Sequence, residues 1–195
     1  AERLWADSEC VQFTDANGDD ITIEYIYHNV EDGMTVYTAR HNVIYHIPKE
    51  KAYCAQAMLR NIARLTYPQA DMKGLSNCFP KQAGRFALKD GGILLVFEKS
   101  ENFYPAAMFG ELSAKHVEWI ISRMENMACV LTYSELVHGG ITPDAVFINP
   151  WTHEAALFGS WHKVQTAAPA DVSDLKGIRD TARMLLGEGI QAAPE

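Results

Sequence analysis

The 195-residue sequence is poor in cysteine and in positive charge, and it has no long apolar run. Its four cysteines, Cys10, Cys54, Cys78 and Cys129, stand 44, 24 and 51 residues apart with no Cys-x-x-Cys pair. That spacing speaks against a zinc knuckle and for unpaired thiols in a reducing compartment, so a cytoplasmic location is expected. The 17 Lys and Arg against 25 Asp and Glu leave a net charge of −8, which argues against nonspecific binding to nucleic acid or to an anionic membrane surface. The longest apolar runs, such as GGILLVF at 91–97, fall far short of the roughly 20 residues a membrane-spanning helix needs. The start, AERLWADSEC, lacks the basic region and apolar stretch of a secretory signal and reads as a segment of a longer protein.

What is present suits a globule with one core, or one core plus a small lobe: 48% hydrophobic and 22% charged residues. ITIEYIYHN (21–29) places Ile21, Ile23, Tyr25 and Tyr27 at strand alternation, and VEDG (30–33) supplies a turn. MTVYTAR returns as a second strand and HNVIYHIPKE continues as a third that Pro48 ends, giving an antiparallel meander. In KAYCAQAMLRNIARL, Ala55, Met58, Leu59, Ile62 and Leu65 fall at helical steps. After a linker, TYPQADMKGL, two more strands flank a Lys-Asp-Gly-Gly turn.

SENFYP marks a polar hinge. Beyond it Val117, Ile120, Ile121, Met124, Met127 and Leu131 form the stripe of a long core helix starting near 112–115. AVFIN and EAALF make a short hairpin, WHKVQTAAPADVS reads as loop, and Asp174 is placed to cap a last helix carrying Leu175, Ile178, Ala182, Leu185 and Leu186. GEGIQAAPE reads as a loose tail.

The segment LVHGGITPDAVFINPWTHEAALFG, 136–159, resembles the catalytic loop and following hairpin of protein kinases. His138, Ile141, Pro143, the apolar triplet Val146, Phe147 and Ile148, and Phe158-Gly159 stand in the places of the His-Arg-Asp loop and the Asp-Phe-Gly hairpin end. The resemblance implies an α+β, two-lobed kinase-like fold: a β-rich N-lobe over 1–99 and a shortened, mostly helical C-lobe over 100–195. It also implies that Asp174, leading DLKGIRDTARMLLG, holds the backbone of the loop.

The chemistry of that family is missing from these positions. Gly140 stands for the catalytic Asp, Thr142 for the Lys of the loop, Ala145 for the Asn ligand of the second metal and Leu157 for the metal-binding Asp. Phosphoryl transfer needs a carboxylate to orient the hydroxyl and oxygen ligands to hold Mg²⁺ across the phosphates, and Gly, Ala and Leu supply neither. In the N-lobe, VIYH (43–46) puts His46 where the resemblance expects the phosphate-gripping Lys. The helix after it has no acidic residue to pair with such a Lys, and the glycine-rich loop is reduced to Gly33.

Plainer readings apply to several residues. His138 packs beneath the loop, and Gly139 and Gly140 permit a tight turn or form a backbone anion nest. His153 and His162, with Trp161 nearby, read as surface loop residues, whereas Trp151 in a turn has the character of an interface anchor. Cys54 and Cys129 read as core thiols.

The leading expectation is a noncatalytic kinase-like binding or scaffold domain with no metal or resident cofactor, no nucleic acid or membrane contact, and a protein partner or adjacent domain. The alternatives are a pseudokinase that binds ATP or another nucleotide without metal, with Leu94, Leu95, Val96, Phe97 and Glu98 lining an adenine site, and an atypical phosphotransferase using Asp144, Glu154 and His138. A small α+β domain unrelated to kinases is the remaining one.

Overall fold

The computed structural model describes residues 2–67 and 69–187, so most of the tail at 187–195 lies outside the described residues. The chain divides into two compact units, residues 1–59 with 80–102, and residues 60–79 with 103–195.

The first unit opens with α1 (Glu2–Trp5) and then β1 (Glu9–Thr14), a strand the sequence reading did not anticipate. β2 (Asp20–Glu31), β3 (Met34–Ala39) and β4 (Asn42–Ile47) form the expected meander. β2 and β3 meet through Asp32 and Gly33, both at positive φ (48° and 82°), the geometry of the tight hairpin turn that matches strand twist. Pro48 follows β4 and leads a single 3-10 turn into α2 (Tyr53–Ala63), whose inward positions are Cys54, Ala55, Met58 and Asn61. β5 (Gln82–Ala87) and β6 (Ile93–Glu98) complete one antiparallel sheet in the order β1-β2-β3-β4-β6-β5.

The two faces of this sheet differ. Val43, Tyr45, Ile47, Leu95 and Phe97 share one face, and each is fully buried. Ile23, Tyr37, Ala39, Ile44, Leu88 and Leu94 cluster on the other, with Val11, Phe13, Ile21, Tyr25 and Val96 packed against them. Tyr27 does not join Ile21, Ile23 and Tyr25 as their spacing suggested. A bulge between Tyr25 and Tyr27 shifts the register, and one residue of slip turns a side chain to the opposite face.

In the second unit a 3-10 helix, Ala70–Cys78, begins inside the expected linker and runs past its end at Leu75 into the stretch read as strand. β7 (Tyr104–Pro105) precedes α3 (Ala114–Tyr133), whose N-terminus Ser113 caps by accepting from the His116 amide. Val117, Ile120, Met124, Met127 and Leu131 are buried along α3 as the stripe required, Ile121 is only half-buried, and Cys129 is exposed, which corrects its reading as a core thiol. β8 (Leu136–Val137) leads into the loop, and β9 (Val146–Asn149) pairs with β10 (Glu154–Leu157) as the expected hairpin.

The stretch read as loop holds a 3-10 turn, Trp161–Lys163, and a two-residue strand, β11 (Gln165–Thr166), paired with β8. α4 (Ser173–Leu186) buries Ile178, Thr181, Ala182 and Leu185. Leu175 is 55% exposed and does not belong to that stripe.

Candidate functional site

Residues 138–145 form a loop fastened from several sides within the second unit. Asp174 accepts hydrogen bonds from the backbone amides of His138 (2.7 Å) and Gly139 (2.9 Å). It does not cap α4 through its side chain, as local sequence suggested; Asp171 instead accepts from the Ser173 amide and hydroxyl just ahead of that helix. Burial raises the Asp174 carboxyl above its ordinary value, and the two amides oppose that shift. Thr181 on α4 donates to the Ile141 carbonyl, and Gly177 lets the helix backbone approach: a Cβ there would lie 3.2 Å from Ile141 Cβ.

His138 is wholly buried, its ring 5.0 Å from that of Trp161 in an edge arrangement, and its Nδ1 accepts from the Gly140 amide at 3.1 Å. Burial pushes its imidazole down to about 3, so at neutral pH it is uncharged. Trp161 is not a surface residue: it is fully buried, donates from Nε1 to the Leu157 carbonyl, and accepts at its own carbonyl from Asn61. Sequence reasoning missed its supporting role, although an indole is a large apolar group that seldom lies idle in a loop.

Gly140 stands at the catalytic-Asp position implied by the resemblance. A Cβ at this position would lie 2.4 Å from the Cβ of Ser160 and 2.9 Å from its hydroxyl. Ser160, at φ +60°, is itself buried, so the space a carboxylate side chain would need is filled. Thr142 is exposed and its hydroxyl accepts from the Ala145 amide at 3.3 Å. Ala145 and Leu157 are buried apolar residues, and the Ala145 carbonyl accepts from the amides of both Phe158 and Gly159. Phe158 packs on Phe147 with ring centres 4.9 Å apart. Residues 140, 145 and 157 therefore offer no side-chain oxygen or amide to a magnesium ion, and this donor set does not fit a metal-bound nucleotide triphosphate. Among the described residues no group of three or more His, Cys, Asp or Glu side chains is arranged to hold a metal.

In the first unit, His46 lies on the sheet face that carries Ile44 and Leu94, its ring 4.7 Å from that of Phe13. Burial lowers its basicity, only partly offset by Asp90, so it is a weaker cation than an ordinary histidine. The five β6 residues considered for an adenine site do not share one face. Leu94 and Val96 line an open groove of about 230 Å³ with Ile21, Ile23, Ala39 and Ile44, while Leu95 and Phe97 point the other way and Glu98 is exposed. Asn42 and Glu24 stand among the polar residues of that groove. Trp151, in the turn between β9 and β10, is 58% exposed.

No family model matches the sequence, and no curated protein matches it. Solved structures do. Vaccinia related kinase 3 superposes with a TM-score of 0.56 at 18% identity, over 82% of this chain and 53% of that one. The BubR1 kinase domain gives 0.57 at 12% identity, over 85% and 62%. The ROP18 kinase domain, solved with AMP-PNP and sucrose, gives 0.54 at 12% identity, over 89% and 66%. The chain thus spans between 53% and 66% of the length of these three chains. The likeness is one of fold: an α+β arrangement with an antiparallel N-lobe sheet and a helical C-lobe, the protein-kinase-like architecture.

Proposed function

We propose that this chain is a noncatalytic, protein-kinase-like binding or scaffold domain of a cytoplasmic protein. The observation that carries this reading is the contact beneath Gly140. The residue that would orient an acceptor hydroxyl is absent, and Ser160 takes up its space. Ala145 and Leu157 add to it, because both metal-ligand positions are buried apolar side chains. The loop itself is still held by Asp174 at two backbone amides, so the framework persists without the reactive groups. Such a framework serves by presenting surface to a protein partner or a neighbouring domain, and exposed Trp151 is the residue best suited to anchor one.

The test is transfer of labelled γ-phosphate from ATP, to the protein itself or to a general protein substrate, in Mg²⁺ or Mn²⁺. The reading expects none above a no-protein control; sustained transfer that survives repurification would overturn it, and would return Asp144, Glu154 and His138 to consideration.

A second reading, metal-independent binding of a nucleotide, draws on the groove lined by Leu94, Val96 and Ile44. Apolar walls with a few polar groups at the margin suit a flat heteroaromatic ring. The related fold of ROP18 was solved with AMP-PNP, which makes a nucleotide panel without metal the natural screen for this alternative.

A further inference from the structure

The N-terminal segment laces across the first unit and is pinned at both ends. Near its start, Trp5 is buried and the Arg40 guanidinium lies 4.5 Å over its ring. From there Ser8 donates to Glu24 at 2.8 Å, and β1 runs antiparallel to β2 from Glu9↔Tyr25 to Thr14↔Asp20. At its far end the segment reaches the opposite edge of the sheet. Lys89 N–H donates to the Thr14 carbonyl (3.0 Å), Ala16 N–H donates to the Ala87 carbonyl (2.9 Å), and Asp15 bridges Leu88. The first and last strands in the sheet order are therefore joined at one end, which closes the sheet there over its own apolar face.

The residue seated on that face is Phe13. Its ring stands 4.7 Å from His46 and 6.2 Å from Tyr37, and it packs against the cluster that holds Ile44 and Leu94. The groove on the same face stays open beside Ile44 and Val96, and neither His46 nor Phe13 lines it. His46 is thus used as an internal packing surface, although it occupies the one position where the resemblance to kinases expects a cation aimed at phosphate.

We propose that residues 5–15 act as an intrasteric strap: Phe13 covers the His46 imidazole on the sheet face beside the groove, so an anionic ring ligand seated in the groove reaches His46 only when β1 is displaced. This rests on the kinase-like reading of His46 and adds a regulatory element to it. The strap suits displacement better than the central strands. Three of the six β1 residues are exposed and none is buried, and before Thr14 its ladder bonds run to β2 alone, so its opening costs less than disruption of β4 or β6.

The experiment compares the full chain with Phe13→Ala and, because loss of a packed ring can unfold the sheet, with Phe13→Leu and Trp5→Ala. Native far-UV circular dichroism and a cooperative melt qualify each variant. Two probes are read: fluorescence of 1-anilinonaphthalene-8-sulfonate, an anionic ring compound, and the NMR titration of the His46 imidazole. The strap predicts weak dye binding to the unaltered chain, about tenfold tighter binding to Phe13→Ala, the loss expected for one well-made aromatic contact, and a His46 titration that moves up toward that of an ordinary histidine. Trp5→Ala, at the other end of the strap from Phe13, should shift both in the same direction by a smaller factor. Equal dye affinity in folded Phe13→Ala and the unaltered chain, or a His46 titration unmoved by the substitution, overturns the strap. Neither result touches the noncatalytic reading, which stands or falls on phosphoryl transfer.

Discussion

A Cβ on Gly140 would meet the Cβ of Ser160 at 2.4 Å, closer than real Cβ contacts come. Ser160 is buried and held in the left-handed region, so it cannot swing aside at low cost. Restoring the carboxylate by Gly140→Asp should therefore destabilise the protein by about 1–3 kcal/mol, the usual range for overpacking, and yield no transferase activity. Adding Ser160→Gly, which suits the left-handed backbone, should recover part of the stability. Thermal melts of the single and double variants check this; a Gly140→Asp protein as stable as the parent would show the space to be open.

Asp174 should be a stability residue for the loop. Asp174→Ala removes acceptors from two amides and should cost about 2–3 kcal/mol, since hydrogen bonds to a charged group are the stronger kind. Asp174→Asn keeps one acceptor oxygen and should cost about half as much. Denaturant unfolding gives both values, and amide exchange at His138 and Gly139 should accelerate in the same order. Unchanged exchange at these two amides would contradict the assignment.

His138 should make the protein acid-sensitive. Its folded value of about 3 lies below the ordinary 6.5, so between these limits the unfolded chain binds a proton that the native state does not. Stability then falls as pH drops through that window, by at most about 1.4 kcal/mol per pH unit for this one group. His138→Gln should lower stability near neutral pH and flatten this slope. Equal slopes in the two proteins between about pH 6 and about pH 4 would speak against a buried neutral imidazole.

Lys99 should act in the alkaline range with a related sign. Its amine is buried, donates to the carbonyls of Arg40 and Ser100 at 3.0 Å, and burial lowers it from 10.5 to about 7. Between those values the unfolded chain carries the extra proton, so stability rises with pH across the window, and the cost of the buried charge is fully present below about 7. Lys99→Met should lose that rise. Urea midpoints at about pH 7 and about pH 9 compare the two proteins; a parallel response would mean that the amine is well solvated.

Much of this was legible because the physical signals are local. Helical spacing located α2 and α3, and Asp32-Gly33 and Asp90-Gly91 marked turns. The loop at 138–145 and the role of Asp174 were legible only through the resemblance, since nothing in the spacing joins Asp174 to an amide 35 residues away. Three features escaped because their causes are not local. β1 is short and has no fully buried residue, so Val11 and Phe13 gave too brief an alternation to count. Tyr27 left the face of Ile23 because of a bulge that alternation cannot encode. Ser160 and Trp161 matter through what they pack against, His138 and Gly140, and that proximity appears only once the chain is folded.

The central claim is tested most directly by calorimetric titration of ATP into the unaltered chain, once with excess Mg²⁺ and once with EDTA. The account predicts the same result in both, whether weak binding or none, because residues 140, 145 and 157 give the ion nothing to hold. Affinity at least about tenfold tighter with Mg²⁺, together with γ-phosphate lost from the bound nucleotide, would contradict it.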